Sequence, residues 1–111
     1  MSETIVDRRV SPRRPLILVA VVEHVDRSST ALRGRTSDVS RGGCFIDALN
    51  PMSVGTKVRI KLQSGNQVFE TTGSVASVDP GHGMGIEFNN EMTANQLAVL
   101  GGWLAAGSRK D

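Results

Sequence analysis

The stretch Lys57–Leu62, KVRIKL, alternates strictly between basic and apolar side chains. Because successive side chains of a strand point to opposite faces, Val58, Ile60 and Leu62 share one face and the basic residues share the other. This period of two predicts a half-buried strand. We expect its basic face to be solvated.

The residues that follow this strand predict two more. Ser64, Gly65 and Asn66 have the composition of a hairpin turn, which predicts a long returning strand over 68–78. Gly73 within it suggests a bulge or a bend. After a turn over 80–83, the segment GMGIEF at 83–88 alternates again and predicts the last strand, with Met84, Ile86 and Phe88 facing inward.

Upstream, the apolar run LILVAVVEHV after Pro15 is rich in β-branched residues and predicts a long first strand, partly buried on both faces. Residues 26–30 have the composition of a loop. The segment 32–39 then leads into the stretch DVSRGG at 38–43, and CFID at 44–47 predicts another strand.

The C-terminal part has a helical period. Thr93 and Gln96 have the spacing of a capping box. An apolar stripe predicts a helix over about 94–106, packed on the core through Leu97, Leu100, Trp103 and Leu104. The predicted fold class is therefore mainly β: a six-stranded antiparallel β-barrel whose open end is plugged by a C-terminal α-helix.

Size and composition indicate one soluble domain of 111 residues with a formal net charge of +2. No apolar run approaches the 18 residues of a membrane span, so we expect no membrane insertion. The first residues lack the pattern of a secretion signal, and we expect a cytoplasmic protein. Its single cysteine, Cys44, is expected to be a small buried apolar group.

Arginines are concentrated near the N-terminus. Four of them, Arg8, Arg9, Arg13 and Arg14, fall within seven residues, with Asp7 as the nearest acid. Like charges with little apolar surface to bury predict a flexible arm over residues 1–14, attached to a barrel domain over 15–111. Pro12 and Pro15 disfavour helix for the residues before them, so the arm should approach the barrel in extended or turned form.

The sequence contains little that indicates a catalytic site or a metal site. His24 and His82 have no partners at metal-ligand spacing, and no nucleophile elbow occurs. The glycines at 81, 83 and 85 fit hairpin geometry better than a dinucleotide loop, because a strand follows them instead of a helix. We expect no enzyme, no metal and no cofactor.

Recognition chemistry is concentrated in the arm and in residues 38–43. The carboxylate of Asp38 can accept two hydrogen bonds, which suits the adjacent N1–H and N2–H2 donors of guanine, while an arginine fork suits phosphate or the O6/N7 edge of guanine. Glycines let a ligand approach the backbone, and the hydroxyl of Ser40 can donate or accept. Together these groups are complementary to a guanine nucleotide carrying phosphate.

These two motifs carry a resemblance to the PilZ domain family. The RxxxR pattern of that family matches Arg9 and Arg13 within DRRVSPR, and its (D/N)xSxxG pattern matches Asp38, Ser40 and Gly43. GMGIEF resembles the family's final barrel strand. The resemblance extends from about residue 7 to the helix, and it implies a receptor for cyclic di-GMP on a six-stranded antiparallel barrel.

The resemblance also implies roles for individual residues. Arg9 and Arg13 would bind phosphate and guanine, with one guanidinium stacked on a base, and Asp38 and Ser40 would hydrogen-bond guanine. The turn at Gly42 and Gly43 would leave room for the ligand. An arginine at position 8, before the first motif arginine, suggests two stacked ligand molecules per site instead of one.

From these roles we expect the ligand to fold the arm across the barrel and create a surface for a downstream effector protein, which the sequence does not identify. Two alternatives stay open. The first is an adapter that binds proteins without nucleotide. The second is a barrel that binds single-stranded nucleic acid, which we do not expect, because three Phe and one Trp, mostly needed inside, leave few stacking platforms.

Overall fold

The computed structural model describes residues 14–26 and 31–108. Within these ranges the chain forms seven β-strands and one α-helix. In chain order they are β1 Arg14–Pro15, β2 Val19–His24, β3 Ala31–Val39, β4 Gly43–Asp47, β5 Lys57–Ser64, β6 Gln67–Asp79, β7 Gly83–Phe88 and α1 Ala94–Ser108.

The six longer strands close into an antiparallel barrel. Their order is β3-β2-β5-β6-β7-β4, and a pairing between β4 and β3 completes the ring. Each of these strands therefore has a hydrogen-bonded neighbour on both sides, which removes the free edges of an open sheet. The short strand β1 pairs with the C-terminal end of β3. The predicted six-stranded barrel with a C-terminal helix is confirmed.

Strand β5 shows the alternation that its sequence predicts. Along β5, the side chains of Val58, Ile60 and Leu62 are at most 1% exposed, while the basic residues between them are exposed. A two-residue turn with Gly65 at a φ of 61° joins β5 to β6. The barrel interior is one apolar cluster to which every strand from β2 to β7 contributes.

The first strand differs from its prediction in two ways. It is interrupted between Pro15 and Val19, and its outer face is only half-buried at Val21 and exposed at Val19. Leu18, Ala20 and Val22 point inward, whereas the side chain of Val19 is 52% exposed. A closed barrel has a single interior, so the other face of an apolar strand stays in solvent unless another element covers it.

The predicted bulge at Gly73 was wrong. Gly73 pairs regularly with Phe88, and the register shift between β6 and β7 lies further along, between Val75 and Ser77. A Cβ on Gly73 would collide with the carbonyl oxygen of Glu87. The glycine therefore permits two strands to lie close together.

Helix α1 begins with the predicted capping box. The Thr93 amide donates to the Gln96 side chain at 2.6 Å, and the Gln96 amide donates to the Thr93 hydroxyl at 3.1 Å. Leu100 and Trp103 are buried, and the Trp103 ring lies 6.4 Å from that of Phe69.

The prediction that Leu97 packs on the core was wrong, because its side chain is 48% exposed. Leu100 and Trp103 form the buried stripe of the helix, and Leu97 lies at the margin of that stripe.

None of the described residues form a helix with the length and hydropathy of a membrane span.

Two adjacent glycines, Gly42 and Gly43, have opposite surroundings. A Cβ on Gly43 would collide with the carbonyl oxygen of Ile86, whereas a Cβ on Gly42 would have no atom within 4 Å. We expect Gly43→Ala to lower the free energy of unfolding by roughly 1–3 kcal/mol through overpacking. Gly42→Ala is the matched control, and its stability in urea should equal that of the wild type. Equal stability of both variants would contradict the close approach of β4 and β7.

Candidate functional site

One extra residue in β3 determines where Asp38 points. Thr36 pairs with Ile46 and Asp38 pairs with Phe45, so Ser37 has no counterpart on β4. Such a bulge reverses the alternation of side chains beyond it. Thr36 and Val39 are therefore both buried, and the half-buried Asp38 lies on the outer surface of the barrel.

The turn after β3 is held by Ser40. This residue is only 5% exposed. Its amide donates to the carbonyl oxygen of Gly43 at 2.8 Å, its hydroxyl lies 3.3 Å from the same oxygen, and the Gly42 amide donates to the hydroxyl at 3.2 Å. The hydroxyl thus satisfies backbone groups of the turn. Arg41 and Gly42 are exposed at the tip of this turn.

The N-terminal end of the described chain lies beside this turn. In β1, Arg14 is the partner of Val39 and Pro15 is the partner of Asp38. This pairing places the point where the predicted arm joins the barrel next to the Asp38 carboxylate.

A buried threonine holds the adjoining segment in place. The hydroxyl of Thr36, which is 1% exposed, donates to the carbonyl oxygen of Leu16 at 2.6 Å and accepts from the Leu18 amide at 2.9 Å. It thereby satisfies backbone groups at the interruption between β1 and β2, where regular strand pairing is absent. Sequence reasoning did not single out Thr36, because an isolated threonine in a strand carries no motif.

Three predicted site residues, Arg8, Arg9 and Arg13, lie outside the described residues. The chain itself limits how far these residues can lie from Arg14. Consecutive Cα atoms are about 3.8 Å apart, and the five residues of extended chain that separate Arg9 from Arg14 span at most about 18 Å. Of the other predicted site residues, the structure brings Asp38, Ser40, Gly42 and Gly43 together in one bend.

Two further residues of this region were missed by sequence reasoning. Arg41 is exposed at the tip of the turn, with no carboxylate of the described chain within ion-pair distance. Phe45 is half-buried and is the cross-strand partner of Asp38, whereas Phe69, Phe88 and Trp103 are buried as expected. The alternation of CFID contained the signal, because inward Cys44 and Ile46 require Phe45 to point outward.

The described residues offer no metal site, since no three His, Cys, Asp or Glu side chains among them are grouped suitably. His82 lies 3.4 Å from the carboxylate of Asp79 in the turn between β6 and β7, and both side chains are exposed. Cys44 is a buried thiol in the core, in agreement with its prediction.

The family model of the PilZ domain matches residues 7–106 of the chain. The protein therefore belongs to the PilZ domain family. The match includes the arm arginines as well as the bend at Asp38–Gly43.

Solved structures share the fold. The PilZ domain of YcgR from Escherichia coli, described as containing c-di-GMP, superposes with a TM-score of 0.74 at 18% identity and covers 94% of each chain. The PilZ domain of CeSA from a cellulose-synthesizing bacterium has a TM-score of 0.67 at 20% identity, covering 86% of this chain and 98% of the other.

The inhibitor of motility MotI/DgrA from Bacillus subtilis has a TM-score of 0.72 at 19% identity. That superposition covers 96% of this chain but only 54% of the Bacillus protein, so the chain spans about half of its length. No curated protein sequence matches the chain.

Replacing Thr36 tests whether its hydroxyl holds the entering segment. Thr36→Val keeps the shape but leaves a buried donor and acceptor unpaired, at a cost of about 1–3 kcal/mol for each orphaned group. We expect lower stability and faster hydrogen exchange at the Leu18 amide by NMR. Thr36→Ser, which retains the hydroxyl, is the control. Wild-type exchange in the valine variant would contradict this role.

Proposed function

We propose that this protein is a cyclic di-GMP receptor that acts as an adapter, without enzymatic activity. The observation that carries the proposal is the pairing of β1 with β3, which joins the arginine-rich arm to the barrel beside the Asp38–Gly43 bend. Membership of the PilZ family and the fold shared with the c-di-GMP-containing YcgR domain support the choice of ligand.

The chemistry of the bend suits a guanine base. The Asp38 carboxylate, on the outer surface, would accept from the N1–H and N2–H2 groups of guanine. The open space above Gly42 would admit the ligand next to the backbone. The hydroxyl of Ser40 would contribute mainly by fixing the turn, with one lone pair left to accept from the ligand.

The arm supplies the groups that the phosphates require. Arg9 and Arg13 would form charge-assisted, forked hydrogen bonds to phosphate and guanine, which a single lysine ammonium does not reproduce. Arg8 would extend this cationic surface, and we propose it as the residue that permits a second, stacked ligand molecule. The ligand phosphates would neutralise mutually repelling guanidinium groups.

Neutralisation of the arm provides the switch. When the ligand bridges the arm and the barrel, residues 1–13 would be ordered over β3 and β4, and arm, nucleotide and barrel would form one composite surface. A downstream effector protein could read that surface. MotI, described as an inhibitor of motility, is one example of a PilZ-like fold in a protein that regulates a cellular machine.

Titration calorimetry with cyclic di-GMP tests the receptor proposal. Arg13→Ala and Asp38→Ala should each lose about 1.5–3 kcal/mol of binding free energy, or roughly tenfold to more than a hundredfold in affinity. Lys61→Ala, on the outer face of β5, is the matched control for general charge and should bind as the wild type does. The same titration counts ligands per site, and Arg8→Ala should convert two to one.

The outcome that rejects the proposal is the absence of binding heat in the wild-type protein. Wild-type affinity in both Arg13→Ala and Asp38→Ala would reject the assignment of these residues to the site but not the binding of cyclic di-GMP. Binding of a single-stranded oligonucleotide that weakens steeply with salt, together with indifference to cyclic di-GMP, would favour the nucleic-acid alternative.

Hydrogen exchange measured by mass spectrometry tests the ordering of the arm. Peptides covering residues 1–13 should exchange fast in the free protein and more slowly with saturating cyclic di-GMP, because ordered backbone amides are protected. Peptides from β5 serve as the internal reference and should not change. Ligand binding without protection of the arm would contradict the proposed ordering of the arm and leave the receptor proposal intact.

A further inference from the structure

Asp38 lies in a row of outward-facing residues that crosses three strands. Its partner on β4 is Phe45, and the partner of Phe45 on β7 is Gly85. Side chains of directly paired residues lie on the same face of a sheet, with Cβ atoms about 4.5–5.5 Å apart. The carboxylate of Asp38 and the ring of Phe45 are therefore neighbours on the outside of the barrel.

The strand beyond Phe45 presents no side chain in this row. β7 has glycine at positions 83 and 85, and the ring of Phe45 lies against Gly83. A Cβ on Gly83 would lie 2.6 Å from Cε2 of Phe45, whereas one on Gly85 would lie 2.6 Å from the hydroxyl oxygen of Ser77 and 4.0 Å from Cδ1 of Phe45. The ring thus occupies the space that a side chain on Gly83 would need.

Phe45 also differs from the other aromatic residues of the chain. Phe69, Phe88 and Trp103 are 1%, 6% and 6% exposed and belong to the core cluster. Phe45 is half-buried, and the residues on either side of it along β4, Cys44 and Ile46, face the interior. Phe45 therefore contributes an aromatic surface outside the core, next to a carboxylate.

We propose that Phe45, supported by Gly83 and Gly85, forms a stacking platform for a purine base, which we call the Phe45 shelf. This inference rests on the proposed receptor function and deepens it. Asp38 would bind the N–H edge of the guanine while the face of the same base lies on the Phe45 ring. The two contacts are compatible because one uses the edge of the base and the other its face.

The shelf has a specific consequence for recognition. Hydrogen bonds between a carboxylate and the edge of a guanine do not by themselves hold the base in one plane. An aromatic surface beside the carboxylate fixes that plane and removes one face of the base from water. Phe45 is therefore a positioning residue for the Asp38 contact.

Calorimetry with cyclic di-GMP provides the first test. Phe45→Leu keeps an apolar side chain over Gly83 but removes the aromatic face, and affinity should fall roughly 5- to 100-fold, the range expected for one lost base–aromatic stack. Phe45→Tyr keeps the aromatic face and should stay within about threefold of the wild type, since stacking on tyrosine is comparable. Thermal melting verifies that the variants are folded.

Fluorescence of Phe45→Trp provides a second readout that a merely structural role would not affect. A guanine base stacked on the introduced indole should quench its emission on addition of cyclic di-GMP. The wild-type protein, whose single tryptophan is the buried Trp103, is the control and should show little quenching. This measurement also decides the question if Phe45→Leu fails to fold.

The outcomes separate the two proposals. Wild-type affinity in Phe45→Leu, or in Phe45→Trp an emission that saturating ligand leaves unchanged, would overturn the shelf while leaving the receptor proposal intact. Failure of the wild-type protein to bind cyclic di-GMP would overturn both, because the shelf depends on the receptor function. Loss of affinity in Phe45→Leu with retention in Phe45→Tyr would support the shelf.

Discussion

The extra residue at Ser37 is the local constraint on which the organisation of the site depends. Without it, regular alternation from the buried Thr36 would direct Asp38 into the apolar interior, where an unpaired carboxylate is strongly unfavourable. With it, Thr36 and Val39 both point inward and Asp38 points outward. One bulge therefore allows a continuous apolar core and an outward-facing carboxylate on the same strand.

The inward Thr36 has a second effect. Its hydroxyl adds two hydrogen bonds to the backbone bonds that join residues 16–18 to β3 at the interruption between β1 and β2, and β1 continues the antiparallel pairing along β3 as far as Val39. The entering chain is consequently attached along the strand that carries Asp38. The proximity of Arg14 to the bend is thus a property of the barrel.

The residues of the bend differ in how far the fold itself requires them. Gly43 is required by the close approach of β7, and Ser40 satisfies the backbone of the turn. At Gly42, by contrast, a Cβ would meet no atom within 4 Å, and the residue has no positive φ that would demand glycine. A sequence motif therefore mixes residues that the fold needs with residues that only a ligand would need, and burial distinguishes them.

Much of the barrel could be predicted from local pattern. The alternation of Lys57–Leu62, the hairpin at Gly65 and the capping box at Thr93 each depend on contacts within a few residues, and all three are present. The errors concerned packing over distance. The exposure of Val19 and Leu97 depends on what covers each face, and the role of Gly73 depends on how closely β7 approaches.

Periodicity and motifs of fixed spacing were enough to predict the main strands, the helix and the family from the sequence. Closure of the barrel, in contrast, sets three features of the fold: the described chain enters beside Asp38, Ser37 is the extra residue, and Phe45 opposes Asp38 on the outer surface. The physical reason is strand register. Pairing partners far apart in the chain are chosen by the closure of the whole barrel, and a shift of one residue would reverse which side chains face the solvent.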